Sequence, residues 1–214
     1  MSASETIEAS HTAVDVSAPQ LDHKAWNQAP PVHITRYWSG RRAPASRHVE
    51  VRIVWSEVSL GVRFVCQQKE LLVISAAPQI KEKTVGLWDR DVCEAFIAPD
   101  PDQPNRYFEF EAAPTGEWID LAIHVTPERR ETDWEFQSGM TVAARSAKDR
   151  IIIAMRIPWD DWLHKPQPGE KWRVNLFRCV GSGTNRGYLA WQPTRTEQPN
   201  FHVPTAFGWL VFSG

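Results

Sequence analysis

Apolar and polar residues alternate along much of this chain with a period of two. In HVEVRIVW, Val49, Val51, Ile53 and Trp55 alternate with His48, Glu50, Arg52 and Val54, the pattern of a strand with one face against a core. A Ser/Glu turn and the apolar Gly61–Gln67 complete a predicted hairpin. Further strand-like runs are Val32–Tyr37, Leu71–Ser75, Arg106–Ala112, Trp118–Val125, Met140–Ala144, Arg150–Ile157, Trp172–Val180, Tyr188–Trp191 and Phe207–Phe212. Helical signals are confined to two short turns, Leu21–Pro31 and Pro158–His164, the second with Pro at its first position. Short strands at even spacing without long helices predict an all-β fold, a β-sandwich or closed β-barrel of antiparallel strands. Residues 1–12, rich in Ser, Ala, Thr and Glu, read as a flexible tail before a single domain over 13–214.

The stretch with the most chemistry is Gly86–Glu111, GLWDRDVCEAFIAPDPDQPNRYFEFE. Trp88 precedes a strand in which Glu94 alternates with Val92 and Phe96. A Pro/Asp turn leads to a second strand with acidic residues on one face. A flat ring beside fixed hydrogen-bonding groups on a rigid sheet suits a sugar, whose C–H faces stack on the ring while its hydroxyls stay free for directional bonds. The opposing reading buries Glu94 against Arg106 or Arg178 as a structural ion pair.

Composition narrows the partners. A net charge of −2 provides no basic field, which argues against nucleic acid and against an anionic membrane surface. The chain has 11 tryptophans, roughly four times average usage, so rings remain for the surface after a core is filled. Cys66, Cys93 and Cys179 cannot all pair with one another, and each lies in an apolar run, which predicts buried free thiols. Met1–Gln20 shows neither a basic region nor an apolar core of signal-peptide type. As written the chain reads as cytoplasmic; a removed leader would make it secreted or periplasmic.

The order of motifs resembles the family 9 carbohydrate-binding modules. LDHKAWNQAP is similar to the family's opening, and HVEVRIVWSEVSLGVRFVC to its strand–turn–strand. LWDRDVCEAFIAPDPDQPNRYFEFEAAPTGEWIDLAI is similar to its acidic, Glu-x-Phe and Pro-x-Gly signature. AMRIPWDDW, WRVNLFR, AWQPT and NFHVPTAFGWLVF resemble the second half in order. Departures are Ser56-Glu57-Val58-Ser59 at the usual Asp-Asp/Glu turn, Leu60-Gly61-Val62 at the usual aromatic, and Cys93 at a small apolar position. The resemblance implies a jelly-roll sandwich that holds a mono- or oligosaccharide, or a glycan end, between two tryptophan rings without catalysis. Carried over by position, the rings are Trp88 and Trp191, Glu94 accepts hydroxyls, and Asn175 and Arg178 are neighbouring polar candidates.

Other chemistries have thinner support. Asp89, Asp91, Glu94, Glu109 and Glu111 include the residue types of a glycosidase pair. No cofactor is expected, although Asp100 and Asp102 in APDPDQP are oxygen donors suited to a structural calcium ion. Haem b in a related sandwich would need Met140 or Met155 with His124, His164 or His202. A protein-interaction patch of tryptophans is the remaining alternative. Phosphate-loop, zinc and nucleophile-elbow spacings are absent from the sequence.

Overall fold

The computed structural model describes residues 5–214. Its strands in chain order are β1 (Thr6–His11), β2 (Val32–Ile34), β3 (Arg36–Tyr37), β4 (Val49–Trp55), β5 (Ser59–Gln67), β6 (Val92–Ala98) and β7 (Arg106–Ala112). There follow β8 (Trp118–Val125), β9 (Arg130–Asp133), β10 (Thr141–Ser146), β11 (Arg150–Pro158), β12 (Lys171–Val180), β13 (Gly187–Ala190) and β14 (Gly208–Ser213). One continuous ladder runs β10-β11-β5-β4-β1-β14-β12-β6-β7-β8-β9, with β2 on β4 and with β13 bridging β12 and β3.

The ladder curls so that its two halves face each other. Val51, Ile53, Val62, Phe64, Ile153 and Met155 from one half share a single core with Ala95, Phe110, Trp172, Val174 and Leu176 from the other. Cys66 and Cys93, on strands not adjacent in the ladder, bring their sulfurs to 3.4 Å across this core. This is the expected β-sandwich, and all three cysteines are buried and free. Alternation produces it directly, because successive residues of a strand point to opposite faces.

Four expectations need correction. Residues 6–11 of the expected tail form β1, which lies between β4 and β14 and is parallel to both, so the sandwich is mixed and not purely antiparallel. Ile7 and Ala9 supply the reason, since both are sealed in the main core. Residues 1–4 lie outside the described residues. The Pro158–His164 segment is a tight turn closed by reciprocal backbone hydrogen bonds between Asp160 and Leu163, while the 3-10 turn Lys24–Gln28 does form and buries Trp26. Leu71–Ser75 forms no strand, and Leu71 lies in solvent. Among the described residues no helix is long and apolar enough to cross a membrane.

At the joint of the two halves, Gly208 lets Trp191 lie flat against the backbone. A Cβ there would stand 2.4 Å from the Trp191 ring and 2.7 Å from the Glu5 carbonyl oxygen. Gly208→Ala is therefore expected to lower the urea midpoint, with a loss of about 1–3 kcal/mol from overpacking. An unchanged midpoint would mean that the ring is free to move aside.

Candidate functional site

The site lies on the outward face of the β12-β6-β7-β8 half, away from the main core. Val92, Phe96, Ile119, Leu121, Phe177 and Cys179 form a second apolar cluster there, roofed by Leu87, Phe201 and Phe207. Where the roof parts, a cavity of 310 Å³ opens over the sheet. A larger cleft of 580 Å³ near Phe108 and Trp162 is lined by exposed acids, Asp100, Glu131 and Asp133, together with Arg106 and His124.

Three glutamates form the cavity floor. Glu94 on β6 stands directly opposite Glu111 on β7, and Glu109 is opposite Phe96, two residues along the same face. Glu94, Glu109 and Glu111 are 2%, 3% and 0% exposed, and one oxygen of each lies within 4.8 Å of the others. Like charges directly across a ladder destabilise a sheet, so these carboxyls cannot all be ionised at ease. Burial, then the charge of Glu109, pushes Glu94 up to about 8. Burial raises Glu109 to about 7 against the opposing pull of Glu111 and Arg130. Glu111 is pushed well above the carboxylate range by burial and by both neighbours. Glu94 accepts a bond from the Cys179 thiol at 3.3 Å, whereas among the described residues outside the floor neither oxygen of Glu111 finds a donor.

The walls are aromatic. Trp88 and Trp134 meet with ring centroids 6.3 Å apart and planes inclined at 47°, and Tyr188, Phe201 and His202 also line the cavity. Trp88 sits in the 3-10 turn Leu87–Asp89, which feeds β6 and fixes the ring six positions before Glu94. Arg186 ties this turn down by donating to the Trp88 and Arg90 carbonyls, each at 2.6 Å. Trp134 follows β9 and is 45% exposed; Lys83 donates to the neighbouring Phe136 carbonyl. His202 shares a 2.8 Å hydrogen bond with the Tyr107 hydroxyl, and burial, then Arg130, lowers its pKa to about 3, so the imidazole is neutral.

Of the five residues expected at the site, Trp88 and Glu94 are together in the cavity and three are elsewhere. Trp191 is 5% exposed and belongs to the main core. Asn175 is a structural clamp: its side-chain N–H donates to the Gln192 carbonyl at 2.9 Å and its oxygen accepts from the Leu176 and Gln192 amides. Arg178 points into the sandwich on the opposite face from Glu94, where it donates to the Arg47 and Gln67 carbonyls and to the Gln68 side chain. The ion pair of Glu94 with Arg178 is thereby ruled out by parity along β12. Among the weaker candidates, Asp100 is engaged in its own turn by the Asp102 amide and the Gln103 side chain. Met140 and Met155 are sealed in the main core, whereas His202 lines the cavity, His124 lies beside Glu131 and His164 beside Glu170.

Sequence reasoning missed Trp134 and the convergence of Glu109 and Glu111 on Glu94. RETDWEF does hold a signal, a tryptophan set among acidic residues, because an indole in so polar a segment has little core to enter.

The model of the carbohydrate family 9 binding domain-like family matches residues 20–214. The chain belongs to this family. Family 9 membership agrees with the fold of solved relatives. A crystal structure from Bacteroides uniformis ATCC 8492 superposes with a TM-score of 0.76 at 17% identity, covering 97% of this chain and 99% of the other. A family 9 carbohydrate-binding module of Caldicellulosiruptor kristjanssonii in complex with glucose gives 0.68 at 14% identity, covering 98% and 96%. The same organism's module with cellotriose gives 0.67 at 14% identity, covering 98% and 94%. By sequence, this family 9 chain is 22% identical over 175 residues to an Arthroderma benhamiae protein called "Extracellular protein", covering 76% of this chain and 77% of that one. That name places the Arthroderma protein outside the cell.

Proposed function

We propose that the chain binds carbohydrate non-catalytically in the 310 Å³ cavity, with a sugar ring against Trp88 and Trp134 and its hydroxyls turned to the glutamate floor. The observation that carries this reading is the tilted Trp88–Trp134 pair standing over buried carboxyls. A protonated carboxyl both donates and accepts, as a sugar hydroxyl requires. Family membership and the glucose and cellotriose complexes of the two structural neighbours support the same ligand class.

A ring enclosed between two parallel indoles needs about 7–8 Å, twice a contact of 3.5–4.0 Å. At 6.3 Å and 47° the pair forms an open corner, so one sugar face lies against it and the edge points inward. Catalysis has little support from the geometry. The three carboxyls share one floor on adjacent strands, whereas glycosidase carboxyls flank the scissile bond from either side.

Intrinsic tryptophan fluorescence titrated with glucose, xylose and cello-oligosaccharides tests the reading. A saturable shift is expected for at least one sugar, weakened about tenfold or more, or 1.4 kcal/mol, in Trp88→Ala and in Trp134→Ala. Unchanged affinity in both variants would move the site elsewhere.

A further inference from the structure

Resting on that proposed site, we infer that its preferred ligand is an amino sugar, a hexosamine unit with a free ammonium group, and that Glu94, Glu109 and Glu111 receive the ammonium. Four acids line the cavity, Asp89 and the three glutamates, against one guanidinium, Arg130. His202 adds no charge, because its imidazole is neutral. With a neutral sugar the floor keeps the protons that burial imposes on it, whereas an ammonium group displaces them to solvent and replaces buried acids with a hydrogen-bonded ion pair.

The floor matches an ammonium group in number and in spacing. Three oxygens, one from each glutamate, lie within 4.8 Å of one another, so a point at or above their centre is about 2.8 Å from each, the length of a charge-assisted N–H···O bond. An ammonium group has three N–H donors for three acceptors, and its C–N bond then points back along the cavity toward the rings. Glu111 is the further sign that something is received here: it is 0% exposed, it lines the cavity, and among the described residues outside the glutamate floor nothing donates to either of its oxygens. The Trp88–Trp134 corner supplies the remaining element, since indole faces attract cations as well as sugar C–H groups.

The test compares glucosamine, N-acetylglucosamine and glucose by calorimetry on the full chain at pH 7, where an amine with a pKa of about 7.7–8.0 is still mostly protonated and Glu109, at about 7, is partly ionised. Glucosamine is expected to bind at least tenfold more tightly than either neutral sugar. Glu111→Gln, which keeps shape and removes the acid, is expected to cut that ratio at least fivefold. Equal affinities for the three sugars would overturn the inference and leave the proposed function standing. Silence with every sugar, those of the fluorescence panel included, would overturn both. Saturable binding of calcium chloride alone, competing with glucosamine, would assign the carboxyls to a metal ion and also overturn it.

Discussion

Trp191→Ala is expected to cost about 3–5 kcal/mol of folding stability, the range for emptying a buried tryptophan site, and to leave the sugar site intact in whatever fraction stays folded. The ring is 5% exposed, packs in the main core, and lies against the bare backbone of Gly208. Its backbone amide donates to the Leu176 carbonyl at 2.8 Å, so the chain around it is fixed and cannot collapse into the space. Trp88→Ala makes the contrast, because that ring is half-buried at a cavity wall and its loss should cost about 1 kcal/mol. Urea titrations of both variants beside sugar titrations separate the roles. Trp191→Ala with a small stability loss and no binding would return that ring to the site. The coupling of Trp191 to Gly208 gives a second check. Gly208→Ala should cost less on a Trp191→Ala background than alone, as expected of residues in direct contact.

Why Trp191 misleads a reader of the sequence is instructive about what strands reveal. Period-two alternation reports burial through local geometry, so β4, β5, β7, β8, β11 and β12 can be found from their own residues. The exposure of a ring at a strand end depends on a distant partner. Trp191 is flanked by a polar Gln-Pro loop, yet its place is decided by the missing side chain of Gly208. The strand β1 is hidden for the same reason, since TIEASH is short and pairs in parallel with β14 from the other end of the chain.

The site shows the same division. Trp88 and Glu94 belong to one turn and one strand, and both were visible. That Glu109 and Glu111 share a face follows from E-x-E alone. Their meeting with Glu94 requires the β6–β7 register, which sets Glu94 against Glu111 and which hydrophobic pattern does not specify when both faces are covered. Asn175 and Arg178 look like ligand-binding groups by type, but a strand buried on both faces needs polar clamps too. In this chain those two hold the Gln192 loop and the Arg47 and Gln67 carbonyls.

The carboxyl floor should also make the fold less stable as pH rises from 6.5 to 8.5. Glu94 and Glu109 titrate at about 8 and about 7 in the folded chain, against about 4.3 for a free glutamate. Across that interval the unfolded chain has released protons that the folded chain retains, so the unfolding free energy falls by about 1.4 kcal/mol per pH unit for each retained proton. The contribution is complete below the unfolded value and is gone once pH passes the folded one. His202, lowered to about 3, works in the opposite sense between that value and about 6.5, its ordinary pKa, which is why the cleanest window begins at 6.5. Paired surface carboxyls such as Glu57 and Glu131 are held below their ordinary values and lose their contribution only in acid, outside the window. Thermal unfolding midpoints should therefore decline from pH 6.5 to 8.5 in the parent chain. Glu94→Gln should flatten the decline, because the neutral amide has no proton to lose while Glu111 is relieved of a neighbouring charge. A parent profile level across this interval would mean that the glutamates ionise freely, and the floor would then have to be open to water or already neutralised by a bound cation.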